Sequence, residues 1–317
     1  MEIALAIDIG GTLTKTGLVD GSGEILDKRV FSTEADKPFE HFLERLSAEV
    51  DRMTDATDAE IVGIGVGAPN VNAISGMIEH APNLDWGEKV PLLDSIEERF
   101  GKKTWVANDA NATALGELVY GLGQGMKNFV VLTLGTGLGS GIIVNGQLLI
   151  GSHGLAGEIG HVSIDPDGRQ CKCGLRGCLE TYASVTGLKR TVFEMMAEMK
   201  DDSVLRGISF MDMTGEQIAE AALKGDLIAL KAFADAADRL GDSMANTVAH
   251  LDPEAIILTG GLSKAGSLLA DPVRVSMEKH LFTPYRNRVK VLISNSSDLS
   301  SIHGPAALAW NGLRNGN

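Results

Sequence analysis

No run of apolar residues in this sequence approaches the ~20 that a membrane-crossing helix requires, so a membrane-embedded protein is not expected. The opening stretch, MEIALAIDIGG, has no basic leader and carries Asp8 inside its only apolar run. A secretory signal is therefore not expected, and a cytoplasmic location is. Basic charge is scarce: 28 Lys+Arg stand against 42 Asp+Glu, a formal charge of −14. That balance argues against the phosphates of nucleic acid or an anionic membrane as the main partner. Cysteine is scarcer still, at three residues. An odd number in an apparently cytosolic chain argues against a disulfide framework and favours a metal or redox site. Low-complexity linkers are missing too, so any domain boundary has to be a hinge within ordered structure.

What is present suits a folded α/β protein. Apolar residues make up 44% and charged residues 22% of 317 positions, a length that suggests two domains with a sizeable core. Glycine is over-represented, at 38 residues, and it bunches at a few turns. The chain opens as a β-meander: IALAID, a glycine turn, TKTGLVD, a DGSG turn and EILDKRVFS. A helix follows over KPFEHFLERLSAEVDRM, then strands at EIVGIGVGAPN and KKTWVAND, then a helix at ANATALGELVYG. A second meander runs from NFVVLTL through GTGLGS into a GIIVNGQLLI hairpin with Asn145-Gly146 at its tip. It copies the opening order, which points to two related halves, each with its own glycine turn. The remainder is mostly helical, with a capping box at Thr214–Gln217, strands at AIILTGGLS and KVLIS, and a terminal helix opening at His303-Gly304-Pro305.

Two of the glycine turns suit phosphate. In Asp8-Ile9-Gly10-Gly11-Thr12, the two glycines let backbone N–H groups approach an anion and Thr12 adds a hydroxyl. Asp8 would repel phosphate unless a cation stood between them, so its presence implies Mg²⁺ bound through waters. The alternative is a plain hairpin with Asp8 as turn former. Gly135-Thr136-Gly137 opens the second turn, and because the chain continues into a hairpin this is neither a dinucleotide fingerprint nor a Walker A loop. A third turn, Thr259-Gly260-Gly261, would place a helix N-terminus where a nucleotide could lie.

The cysteines fall within eight residues. His161 is followed by nine residues, Cys171, one residue, Cys173, four residues and Cys178. A Cys₃His set on a polar, glycine-rich loop suits a closed, structural tetrahedral Zn²⁺. Reactive surface thiols are the alternative; buried packing cysteines do not suit so polar a loop.

The motifs DIGGT, APNLDW, NDANATALGE, GTGLGSGI, GEIGH and CKCGLRGCLE, in this order from Asp8 onward, resemble the ROK-family sugar kinases, nearest to their glucokinase branch. The resemblance implies an α/β, actin-like (ribonuclease-H-like) ATPase fold of two lobes with a central cleft. Residues 1–112 plus 302–317 would form a small lobe, and residues 113–301 a large lobe carrying the zinc loop. It implies Asp109 as general base, taking the proton of a sugar 6-hydroxyl as that oxygen attacks the γ-phosphate of Mg²⁺-ATP. It implies Asn83, Asn108, Asp109, Glu158, His161 and Glu180 as sugar ligands, with zinc fixing the His161 tautomer and aiming the ring. Asp109 also follows a strand and opens a helix, so an N-cap aspartate is expected there. The resemblance further implies a homodimer, and two half-sites on separate lobes that must meet lead to the expectation that the lobes close around substrate.

Asn70-Val71-Asn72 departs from the family pattern, in which a glycine often follows Gly67-Ala68-Pro69. ATP-dependent phosphorylation of glucose at O6, giving glucose 6-phosphate and ADP, is the leading expectation, with fructose, mannose or an N-acetylated hexosamine as the alternative substrate. Two other classes compete. A sugar-sensing repressor would need a DNA-reading helix, and the first phosphate strand already begins at residue 3. An actin-like ATPase without sugar would have no use for Glu158, His161 and Glu180.

Overall fold

The computed structural model describes residues 1–294, 299 and 301–315; the parts of the two expected lobes on the other positions lie outside them. The elements in chain order are β1 (Glu2–Ile9), β2 (Leu13–Val19), β3 (Ile25–Ser32), α1 (Phe39–Thr54), β4 (Glu60–Ala68), β5 (Ile78–Glu79), β6 (Lys89–Val90), α2 (Leu92–Phe100), β7 (Thr104–Asn108) and α3 (Asp109–Tyr120). They continue with β8 (Phe129–Leu134), β9 (Leu138–Val144), β10 (Gln147–Leu148), α4 (Glu180–Ala183), α5 (Val185–Glu198), α6 (Gly215–Leu223), α7 (Leu227–Leu251), β11 (Ala255–Thr259), α8 (Ser267–His280), β12 (Lys290–Ile293) and α9 (His303–Asn315). Two compact units result. The first holds Met1–Gly125, Gly141–Gly157 and the C-terminal segment with α9; the second holds Met126–Ser140 and the stretch from Glu158 through β12.

The first sheet runs β3-β2-β1-β4-β7. Tight turns make β1/β2 and β2/β3 antiparallel, whereas crossovers through α1 and α2 make β1/β4 and β4/β7 parallel. The second runs β10-β9-β8-β11-β12, with β11 parallel to both β8 and β12. The order is the same in both, as the repeated meander requires.

In β1 the side chains alternate between faces. Ile3, Leu5, Ile7 and Ile9 join Phe42, Leu46 and Met53 of α1 and Ile96 of α2 in one core. Ala4 and Ala6 face the other way, against Ala306, Ala309 and Trp310 of α9. Small residues on that face let the helix lie close. At Gly65 in β4, a β-carbon would collide with the Pro305 carbonyl oxygen. Gly65→Ala is therefore expected to cost ~1–3 kcal/mol by overpacking and to lower the melting temperature by several degrees. An unchanged melting curve would contradict the seating of α9 on β4.

Two sequence expectations are corrected. The second glycine turn is shorter than GTGLGS, because β9 already begins at Leu138 and takes Gly139 and Ser140 into the strand. The Gly260-Gly261 turn does not lead straight into an α-helix: a 3₁₀ turn over Leu262–Ala265 and then Gly266 stand before α8. Ser263 Oγ closes this turn by donating to the Gly260 carbonyl at 2.8 Å.

Candidate active site

In the first unit the candidate residues collect at the carboxyl ends of β1, β4 and β7, where open parallel sheets present ligand sites. Asp8 pairs in register with Gly67, and Ala68 with Asn108. At ~4.8 Å per strand, the Asp8 and Asn108 backbones stand about 10 Å apart across β4. The first glycine turn is built to hold its shape. Gly10 N–H donates to the Leu13 carbonyl at 3.1 Å, and the Gly10 carbonyl accepts from Thr33 Oγ1 at 2.6 Å. A buried Thr14–Thr33 hydroxyl pair at 2.9 Å backs it. Gly11 touches Asn83: a β-carbon there would stand 3.0 Å from both Cβ and the carbonyl oxygen of Asn83. The exposed Asn83 is thus brought to the side of the turn, and Thr12 is exposed at its tip.

Asn108, rather than Asp109, is the N-cap of α3; its side chain accepts from Ala110 N at 2.9 Å. Asp109 is the first helical residue, and its Oδ1 also accepts from Ala110 N, at 2.8 Å. Its side chain is open to solvent on one side and crowded by protein on the other. Desolvation raises its pKa above the ordinary carboxylate value and the charge of Asp8 adds to this, against the lowering effect of the Ala110 N–H. Burial likewise raises Asp8, opposed by a hydrogen bond from Ser301 and by the charge of Lys15. A carboxylate raised in this way is a better proton acceptor than a free aspartate.

The Asn70-Val71-Asn72 departure has a local explanation. Asn70 sits in the left-handed region at φ 53°, which asparagine tolerates better than other non-glycine residues. Its amide donates to the His80 carbonyl at 3.1 Å. Asn72 Nδ2 donates to the His153 carbonyl at 3.0 Å, and its Oδ1 accepts from Ile74 N at 2.9 Å.

In the second unit, His161, Cys171, Cys173 and Cys178 converge: one ligand atom from each lies within 4.8 Å of every other. His161 Nδ1 is 3.7 Å from Cys171 Sγ, and Cys173 Sγ is 3.6 Å from Cys178 Sγ. A tetrahedral zinc with ~2.3 Å bonds would set its sulfurs about 3.8 Å apart, so the donor set fits that ion. Burial, with the neighbouring Cys173 and Cys171 thiols, pushes the Cys178 thiol up to about 12. A bound dication reverses that tendency by deprotonating its thiol ligands. With Nδ1 turned to the sulfurs, Nε2 is the nitrogen left for another partner.

Glu180, at the start of α4, links this cluster to the second glycine turn. Its Oε1 lies 3.9 Å from Cys171 Sγ, while Oε2 lies against Gly137 and accepts from Leu138 N at 2.9 Å. Gly135 N–H closes the turn on the Gly137 carbonyl at 3.0 Å, and Thr136 is exposed. Glu158 is exposed, and its carbonyl accepts from His161 N at 3.1 Å. Sequence reading missed Arg169, two residues before Cys171. It donates to the Thr181 carbonyl at 2.7 Å and to Thr191 Oγ1 at 2.9 Å, and it pairs with Glu194. Its guanidinium and that of Arg239 lie 4.5 and 4.0 Å from the centre of the Tyr182 ring. These contacts tie the base of the cysteine loop to α4 and α5. Nothing in the local sequence pairs Arg169 with partners 12 to 25 residues away.

Comparison with known proteins bears on both units. Residues 4–311 match the model of the ROK family. The glucokinase of Thermotoga maritima is 34% identical over 96% of this chain and 96% of its own length. A ROK family glucokinase from Streptomyces griseus, solved in complex with glucose and AMPPNP, superposes with a TM-score of 0.81 at 36% identity, covering 98% of this chain and all of that one. A ROK family transcriptional regulator, a homolog of the E. coli MLC protein, gives a TM-score of 0.89 at 27% identity over 99% of this chain and 79% of that one. With family motifs carried by both units and a family match over nearly the whole length, the chain belongs to the ROK family.

Proposed function

We propose that the chain is an ATP-dependent hexose kinase that phosphorylates glucose at O6, giving glucose 6-phosphate and ADP. The observation that carries this reading is the place of Asp109: a solvent-open carboxylate at the start of α3, directly beyond the carboxyl ends of the parallel strands β4 and β7. Its task is to accept the proton of the 6-hydroxyl while that oxygen bonds to the γ-phosphorus and the bond to the ADP oxygen breaks. Phosphoryl transfer depends mainly on alignment and charge neutralisation. Gly10, Gly11, Thr12, Gly135, Thr136, Gly137, Gly260 and Gly261 are assigned to the nucleotide and its phosphates. Asp8 would be the residue that holds Mg²⁺ bound with ATP, and the ion would supply neutralisation of phosphate charge.

Asn83, Asn108, Glu158, His161 and Glu180 are assigned to the sugar hydroxyls. A hydroxyl both donates and accepts, so amides, carboxylates and an imidazole with a fixed tautomer are matched to it. His161, Cys171, Cys173 and Cys178 would hold Zn²⁺, which would support recognition and take no part in the transfer. The 34% identity to a glucokinase over almost the full chain favours glucose among hexoses.

The likeness to a regulator makes a sugar-sensing role the second reading. A coupled assay for ADP across a hexose panel separates the two. Purified protein with ATP and Mg²⁺ is expected to release ADP only when a hexose is added, fastest with glucose. Equal release without sugar would remove the kinase reading, and sugar binding without ADP release would favour the sensor.

A further inference from the structure

Cys173 stands apart from the other cysteines of its cluster. Cys171 and Cys178 are buried, at 4% and 0% exposure, whereas Cys173 is exposed. Local geometry puts it there. Cys171 N–H donates to the Leu175 carbonyl at 2.9 Å, and Gly174 N–H donates to the Cys171 carbonyl at 3.2 Å. The chain therefore folds back on itself, and Lys172, Cys173, Gly174, Leu175 and Arg176 are all open to solvent. Gly174 supplies the φ of 96° at the tip, a conformation that glycine adopts at no steric cost. A ligand at such a tip meets dissolved oxidants that its buried partners do not.

The exposed sulfur also has a partner in place. Cys173 Sγ is 3.6 Å from Cys178 Sγ. Cys171 Sγ is engaged elsewhere, beside His161 Nδ1 at 3.7 Å and Glu180 Oε1 at 3.9 Å. A disulfide of ~2.05 Å asks the Cys173 and Cys178 sulfurs to close by about 1.5 Å. Between Lys172 and Arg176 no buried side chain anchors the turn against that movement. An accessible thiolate poised next to a second cysteine is the arrangement that reversible oxidation uses.

We propose that Cys173 is a site of reversible modification by hydrogen peroxide, with Cys178 as its resolving cysteine, so that oxidation exchanges the metal of this loop for a Cys173–Cys178 disulfide. The Cys173 thiolate attacks one peroxide oxygen; the O–O bond breaks, hydroxide leaves and a sulfenic acid forms. The Cys178 thiolate then attacks the Cys173 sulfur; the S–O bond breaks, a second hydroxide leaves and the S–S bond forms. The two sulfurs give up two electrons, and one peroxide takes them. His161 and Cys171 are left as two of the four ligands that a closed zinc site needs, so the ion is lost. A dithiol reverses the step by thiol–disulfide exchange. The chemistry needs only the cysteines and their metal; its effect on glucose rests on the kinase reading, through His161 and Glu180.

The test treats the reduced, zinc-loaded protein with hydrogen peroxide and follows zinc with a chromogenic chelator. Trypsin cuts after Lys172 and Arg176 and so separates all three cysteines, which lets mass spectrometry of the unreduced digest assign the pairing. About one zinc is expected to leave per disulfide formed, with Cys173 joined to Cys178 and Cys171 open to alkylation. Dithiothreitol with added zinc is expected to restore both thiols and the metal. Over the same course the KM for glucose is expected to rise ~10–100-fold and to recover on reduction. Cys173→Asp, which offers an oxygen ligand in place of the oxidisable sulfur, is expected to hold its zinc against peroxide; if that variant is isolated without metal, the wild-type arm decides alone. Three results would overturn the proposal: reduced wild type isolated without zinc, a disulfide through Cys171, or zinc and all three thiols retained at a peroxide dose that oxidises the exposed Met211 (84%). A chain that phosphorylates no hexose would remove the kinase reading and leave the zinc and disulfide measurements to decide the role of Cys173.

Discussion

Asp109→Asn is expected to lower kcat by ~10²–10⁴-fold and to leave glucose affinity nearly unchanged. The substitution keeps the shape, and its amide oxygen can still accept from Ala110 N, which now meets Oδ1 at 2.8 Å. What disappears is a group able to take a proton at neutral pH. Desolvation first, and the charge of Asp8 second, raise the Asp109 pKa. The base acts only when ionised, so activity should fall as pH drops through that raised value, at a higher pH than for a free aspartate at ~3.9. Stability follows the opposite sense. The native state binds this proton more tightly than the unfolded chain does. Ionisation therefore works against folding, and the loss is complete once the pH has risen through the raised pKa. At pH 7 the Asn variant should melt no lower than wild type while being almost inactive. Loss of turnover together with a lower melting temperature would mean that the substitution damaged the fold, and wild-type turnover would mean that the base is elsewhere.

The second large effect concerns the cysteine loop. Metal analysis is expected to find about one zinc per chain, and Cys178→Ser to lose it. Structural zinc sites contribute ~10 kcal/mol or more of apparent binding energy, and the loop from His161 to Cys178 brings few apolar side chains of its own to a core. Without the ion, His161 loses the partner of Nδ1, and Glu180 loses a fixed neighbour in Cys171, 3.9 Å away. The KM for glucose is then expected to rise ~10–100-fold, the range typical when the support of an oriented ligand is removed. Turnover at saturating glucose should fall much less, because β7 and α3 set Asp109 and neither holds a metal ligand. A zinc-free preparation with wild-type KM for glucose would contradict the supporting role.

Much of this was legible because its signals are local. The repeated meander showed in turn chemistry and period-two strands, and the two sheets share one strand order. The cysteine spacing on a polar loop announced a closed site, and the four ligand atoms do meet. Failures occurred where neighbours in space decide. Asn and Asp cap helices about equally well, so the sequence could not tell which of Asn108 and Asp109 caps α3; pairing of Ala68 with Asn108 keeps the latter in the strand. The two-residue strands β5 and β6 are defined by pairing with each other, and Ile78 of β5 bridges Val71 as well. Helix α2 is short, so its signal is weak, although Leu92, Ile96 and Phe100 recur at helical spacing; Leu92 and Ile96 are buried there. The ion pair of Lys15 with Asp8, at 3.8 Å, was within reach. A hairpin with a known turn pairs the two residues by counting, and a cation opposite an acid at a phosphate turn is a readable signal.

The most direct measurement is a crystal structure of the chain with glucose and a non-hydrolysable ATP analogue. The account predicts the glucose O6 within hydrogen-bonding reach of an Asp109 carboxylate oxygen, ~2.6–3.2 Å, and on the side facing the γ-phosphorus. Glucose bound with O6 separated from that carboxylate by more than one layer of water would contradict it.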